Sequence, residues 1–290
     1  MFLEQLSNGI ALGSIYALTA IGFTMVYGIV RLINFAHGYI YMMGAFFAYT
    51  AIAYFGLPLV PSFIIGMVLA ALLGVLIAKL AYTPVFNAPK INLFLSAIGT
   101  AIFLENFAML VWGPETQSFP TMIENKVYAL GGLRFSKLQA IILLISVFLV
   151  LVLTYIVKKT KIGRAMRCAS QDMTAAKLMG INTDKVIFFT FALGSSLGAA
   201  AGTLVAMYYK AVYPMMGFSA GLKAFVAAVI GGIGSIPGAM LGGLIMGVAE
   251  SLGAAYISSG YRDAIAFIIL IVILLFKPTG LFGNTVKEKV

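Results

Sequence analysis

The chain has 290 residues, 62% of them hydrophobic and 10% charged, with a mean hydropathy of +1.05. Soluble domains run near 45–50% apolar and about 25% charged, so the composition excludes a soluble fold. The net charge of +10 would suggest nucleic acid in a soluble protein. Here the cations gather at the ends of apolar runs and in one loop, as anionic lipid favours, so membrane lipid is the expected partner and nucleic acid is not.

Apolar runs of helical length recur, and none alternates with the two-residue period of barrel strands. An all-α polytopic membrane protein follows, a single transmembrane domain over 1–290. The first run, Asn8 to Val30, lacks a basic leader and outlasts a signal peptide's apolar core, so it reads as a retained span. Arg31 and the hexapeptide INFAHG (33–38) follow it. The second run, Tyr39 to Phe55, ends at Gly56 before Pro58 and Pro61, and the third covers Phe63 to Leu80. A connection carrying Lys79, Lys90, Pro84 and Pro89 leads to the fourth, Ile91 to Trp112, which Glu105 and Asn106 interrupt. The link from Gly113 to Lys137 mixes Glu115, Glu124, Lys126, Arg134 and Lys137, a pattern suited to the external face.

The fifth run, Leu138 to Val157, delivers the chain to a charged island at 158–185. Lys158, Lys159, Lys161, Arg164 and Arg167 occur there without a carboxylate among them, which places this loop in the cytoplasm. Within it, Ser170 or Asp172 can cap a short helix from Met173 to Met179 that Gly180 ends, and Asn182, Thr183 or Asp184 can cap the next. So short a helix is marginal alone, and Met173, Leu178 and Met179 give it an apolar side. It reads as a docking helix or as an ordinary interhelical loop. Cys168 is the one cysteine, so no internal disulfide forms, and it reads as a free thiol.

The sixth run, Val186 to Tyr209, carries Gly194, Gly198 and Gly202 at four-residue spacing, a bare face for close helix packing or, alternatively, a hinge. After the short run Phe218 to Ile230, the sequence GGIGSIPGAMLGG (231–243) is a tight turn or a broken helix lining a wet cavity. The eighth run, Ala239 to Ile257, holds Glu250. The last, Ala264 to Phe276, falls short of the ~20 residues that span a bilayer, so it starts before Arg262 or meets a thin membrane. Nine spans result, with eight to ten as the bracket; the N-terminus is then external and the terminal VKEKV cytoplasmic.

Several chemistries are excluded. The chain has no GxxxxGK[ST] loop for nucleotide phosphates, and one histidine with one cysteine cannot assemble a metal cluster or a His-paired nucleophile. An enzyme is not expected. Glu105 and Glu250 lie at membrane depth, where a carboxylate must be paired, hydrated or protonated. Each is a candidate for a substrate path or proton relay, or for interhelix hydrogen bonding with Asn106 or Ser251. Asn34 and His37 are the other polar candidates, His37 as a structural residue or a proton carrier.

INFAHG, the island's GRAMRCASQDMTAAKLMGIN, GGIGSIPGAMLGG and the terminal KPTGLFG (277–283) together resemble, in order and spacing over nearly the whole chain, the permeases of branched-chain amino-acid ABC importers, most closely the shorter of the paired permeases. The resemblance implies a prokaryotic inner-membrane protein of the second ABC-importer type, with one fewer N-terminal span than the sugar and vitamin permeases. It implies a second homologous permease, two cytoplasmic ATPases that bind ATP and Mg, and an external binding protein, with no cofactor on this chain. On the same resemblance Asp172, Ala175, Ala176 and Gly180 match the motif that couples permease to ATPase. The alternative reading is an ion- or proton-coupled secondary amino-acid transporter driven through Glu105 or Glu250.

Overall fold

The computed structural model describes residues 2–31, 33–86, 88–120, 123, 126–130 and 133–283. Glu124, the Arg134 side chain and the terminal VKEKV, on which sequence expectations fall, lie outside the described residues. Among the described residues, every apolar run of the sequence becomes a helix: α1 (Phe2–Val30), α2 (His37–Ala53), α3 (Leu59–Ile77), α4 (Lys90–Trp112) and α5 (Lys137–Lys159). The charged island folds into two further helices, α6 (Lys161–Gln171) and α7 (Met173–Leu178). Then come α8 (Thr183–Tyr209), α9 (Met216–Gly231), α10 (Ile236–Tyr256) and α11 (Arg262–Phe276).

Boundaries shift where local chemistry favours it. α1 starts at Phe2, six residues earlier than its apolar run, because Glu4, Gln5 and Asn8 are accommodated in its first two turns, Asn8 donating to the Gln5 side chain at 3.3 Å. α3 runs on through a wider turn, Ala78–Tyr82, and a tight one, Thr83–Val85. α11 begins at Arg262, two residues before its apolar run, and a 3₁₀ turn at Ser259–Tyr261 leads directly into it. The polar link after α4 contains strands that the apolar pattern does not disclose: β1 (Gln117–Ser118), which pairs with β4 (Ala211–Val212) beyond α8, and β2 (Val127–Leu130), which pairs with β3 (Leu133–Ser136). Ser136 and Gln139 then close a reciprocal cap on α5.

α1, α2, α8, α9 and α10 form the centre, and α1 is buried along most of its length, whereas α4, α5 and α11 present apolar faces outward. Among the described residues, seven helical stretches, α1, α8 and α10 included, have the length and hydropathy to cross a membrane. The exceptions are α2 with 17 residues and α9 with 16. At 1.5 Å per residue each is about 25 Å long, less than a hydrocarbon core of about 30 Å.

The reason is depth. His37, the first residue of α2, touches Gly198 near the middle of α8 and bonds Thr19 in mid-α1, so residues 33–36 carry the chain back into the bundle before α2 begins. There the first turn of α2 meets the first turns of α9: a Cβ on Gly38 would collide with the Gly217 carbonyl oxygen and lie 2.5 Å from Gly221 Cα. Only a residue without a side chain allows this crossing of two backbones.

Candidate functional site

Three arrangements carry the polar chemistry, and the first is the island. The Asp172 carboxylate accepts from the Thr174 and Ala175 amides at 2.8 and 2.9 Å, satisfying donors that the first turn of α7 leaves open. Ala176 is the buried contact of this helix, and its carbonyl accepts from Ile181 at 3.0 Å. Gly180 follows at φ +82, the left-handed backbone that ends helices and that a Cβ disfavours. Asn182 accepts from the Lys185 amide at 3.0 Å and starts α8. Of the three expected apolar residues of α7, Met173 is half-buried against the core, while Leu178 at 84% and Met179 at 82% exposed stay open. α6 lies beside it with Gly163, Met166 and Ala169 buried at three-residue spacing, a sequence signal within reach of inspection.

The second arrangement joins the island to the bundle interior. The Arg31 guanidinium donates to the Ser170 and Gln171 carbonyls at 3.4 and 3.1 Å, at the carboxyl end of α6 immediately before Asp172. Past Arg31 the re-entering segment is held by Asn34, whose side-chain oxygen accepts from the Tyr82 hydroxyl at 2.6 Å and the Ala36 amide at 3.1 Å. The Asn34 carbonyl accepts from the His37 amide at 3.1 Å. His37 is buried, and its Nε2 lies 3.2 Å from the Thr19 carbonyl. A carbonyl only accepts, so Nε2 carries the proton in this bond. Asn34 and His37 are thus neighbours in one structural junction. Gly194 and Gly198 face the same place, Gly194 against Gly22 and Gly198 against the His37 ring, while Gly202 lies against the Tyr41 carbonyl.

The third arrangement contains Glu250, but not with the partners expected of it. Ser251 bonds Gln5 instead, and Asn106 bonds the Ile102 carbonyl of its own helix rather than Glu105. Glu250 is 1% exposed and accepts from the Tyr16 hydroxyl at 2.8 Å and from Lys223 Nζ at 2.9 Å. Lys223 also reaches Asp263 at 3.1 Å and the Tyr16 oxygen at 3.3 Å. A charge at this depth is stable when paired and hydrogen-bonded, and α1, α9, α10 and α11 each contribute one member. Lys223 escapes notice in the sequence because a single lysine in a short apolar run looks like an end-of-helix cation. Glu105 stands apart on α4, facing the Tyr39 hydroxyl.

The island end also collects two of the glycine-bearing sequences. GGIGSIPGAMLGG makes a turn: α9 stops at Gly231, Ser235 accepts from the Gly238 amide at 3.2 Å, and α10 begins with Pro237 in its first turn. The segment KPTGLFG folds back on it, Leu281 and Phe282 donating to the Ile230 and Gly231 carbonyls at 2.9 Å each. These bonds satisfy carbonyls that the end of α9 exposes.

Comparison with known proteins agrees with this architecture. The family model described as "Branched-chain amino acid transport system / permease component" matches residues 5–274. The high-affinity branched-chain amino acid transport system permease protein LivH of Escherichia coli K12 is 44% identical, covering 100% of this chain and 98% of its own. BraD of Pseudomonas aeruginosa, of the same description, is 43% identical with the same coverage. The ribose import permease RbsC of Haemophilus influenzae is 29% identical over 73% of this chain and 65% of its own. No solved structure matches. A helical bundle with seven span-length helices, matched to this family and to these relatives over essentially its whole length, is a multi-pass membrane permease, and the chain belongs to the family of permease components of branched-chain amino acid transport systems.

Proposed function

We propose that the chain is the membrane-embedded subunit of an ATP-driven importer that moves branched-chain or other hydrophobic amino acids delivered by an external binding protein. It works beside a second homologous permease and two cytoplasmic ATPases, which bind ATP and Mg on its behalf. All nine long helices serve as spans in an arrangement of the second ABC-importer type, the N-terminus external and residues 158–185 cytoplasmic. α2 and α9 complete their crossings with the help of the loops that enter beside them.

The observation that carries this reading is α7: a helix of 6 residues, capped by Asp172 and stopped by Gly180, that leaves Leu178 and Met179 open to solvent. So short a helix holds no shape unaided in water, and an apolar tip on a basic platform is a surface made for a partner. ATP-driven closure of two ATPases would push α7 as a lever. Arg31 links the α6–α7 junction to the segment that ends at His37, so a push there has a hydrogen-bonded route to mid-depth. Proton coupling through Glu250 has less support, because both of its oxygens are engaged by Tyr16 and Lys223.

The test is purification from native membranes in mild detergent, with masses of all stoichiometric subunits and an ATPase assay. ATPase subunits and a second permease should co-purify, and leucine-loaded binding protein should raise the hydrolysis rate. A chain that purifies alone and transports in liposomes without ATP would overturn the importer reading.

A further inference from the structure

α9 and α11 leave a cleft between them, lined by Phe218, Leu222, Lys223, Asp263, Ala266 and Phe267. Its charge content is one cation and one anion, Lys223 and Asp263, with 3.1 Å between Nζ and Oδ1. The two are held very differently. Lys223 is anchored from behind by Glu250 at 2.9 Å and the Tyr16 oxygen at 3.3 Å, and its side chain is only 16% exposed. The Asp263 side chain is 68% exposed and sits in the first turn of α11, just after the 3₁₀ turn.

An ammonium group has three N–H donors, and two of those of Lys223 point to Glu250 and Tyr16. If Asp263 swings away, Lys223 stays fixed by its two anchors, with its third donor aimed into the cleft. The bond lost has Asp263 as its exposed member, and water takes the place of Lys223 at that carboxylate. An anion arriving from solution can therefore take the place of Asp263 at little cost, and Asp263 then faces the newcomer as an unpaired carboxylate.

Resting on the importer reading above, we propose that this cleft is a transient binding site for an amino-acid zwitterion, which inserts between Lys223 and Asp263 by giving its carboxylate to the one and its ammonium to the other. One ion pair becomes two, and no net charge is brought in. The substrate's aliphatic side chain lies against Phe218, Leu222, Ala266 and Phe267, where its apolar area leaves water. A charged side chain would find no partner there. The same four residues thus give the site a preference for hydrophobic amino acids that does not depend on the binding protein.

The test uses the complete importer in lipid nanodiscs, with the binding protein withheld and radiolabelled leucine as probe. Leucinamide lacks the carboxylate that Lys223 would hold, and 4-methylpentanoate lacks the ammonium that Asp263 would hold. Leucine should bind saturably, and each analogue should compete roughly tenfold less well. Asp263→Asn should weaken leucine roughly tenfold, while 4-methylpentanoate, no longer facing an unpaired carboxylate, binds at least as well as before; Asp263→Glu should restore most of the loss. Should Asp263→Asn fail to assemble, Ser219→Trp, an exposed position of α9 at the same cleft, should block leucine binding by filling it. Absence of saturable leucine binding, competition by either analogue as strong as that of leucine itself, or leucine binding untouched by Asp263→Asn and by Ser219→Trp would each overturn the site. Failure of the importer reading shows separately, as a complex without ATPase subunits.

Discussion

The carboxylate of Asp172 sits five residues from the exposed cations Arg167 and Lys177 on either side, and its work can be either electrostatic or structural. The geometry separates the two. Its oxygen is spent on the Thr174 and Ala175 amides, a cap that Asn supplies as well as Asp and that Ala does not. Asp172→Asn should therefore keep leucine uptake near the wild-type rate. Asp172→Ala should lose about 1 kcal/mol of local helix stability, a factor of about five if all of it appears in docking affinity for the ATPase. Titrating purified ATPase against the permease checks this, and equal losses for Asn and Ala would mean that charge, not capping, matters. Gly180 obeys a different rule. At φ +82 any L side chain costs roughly 1–2 kcal/mol, and nothing lies near enough to clash with a Cβ. Gly180→Arg should insert normally yet hydrolyse ATP with little uptake, read as leucine imported per ATP.

At the scale of elements, the junction between island and bundle is the place where coupling can be tuned without unfolding anything. Arg31 interacts with the carboxyl end of α6, and a cation at a helix terminus contributes roughly 0.3–1 kcal/mol. That is small beside a total stability of roughly 5–15 kcal/mol. Arg31→Ala should thus leave expression and melting temperature intact and lower uptake per ATP hydrolysed several-fold; an unchanged ratio would remove Arg31 from the route. Gly38 behaves in the opposite way. Its missing side chain faces the backbone of α9, so Gly38→Ala forces α2 and α9 apart at an overpacking cost of roughly 1–3 kcal/mol. Gly28→Ala, where the nearest atom would be 3.8 Å away, should change the melting temperature little. The difference shows what the sequence discloses. Asp172, Gly180 and Asn182 are legible because caps act over two or three residues. Gly38 is not, because the backbone it meets comes from 179 residues later in the chain.

Across the whole molecule, the apolar runs specify the long helices and leave their depth open. The sequence reading counts α2 as an ordinary span, whereas the structure starts it at the level of Gly198, since hydropathy registers length and not where a helix begins. Pairing of Lys223 with Glu250 is hidden for a similar reason: the partners lie on different helices, and Tyr16 completes the cluster from 234 residues away. Side-to-side orientation, by contrast, rests on where the charges fall, chiefly the island's cations, and can be tested directly. Cys168 is the one cysteine in the chain and is exposed on α6. If the excess of Lys and Arg at 158–167 marks the cytoplasmic face, a membrane-impermeant maleimide should label Cys168 in inside-out vesicles and leave it untouched in intact cells. Bound ATPase should slow the labelling, because α6 adjoins the open tip of α7. Labelling from outside the cell would invert the topology, place α7 where no ATPase can reach it, and remove the lever from the mechanism.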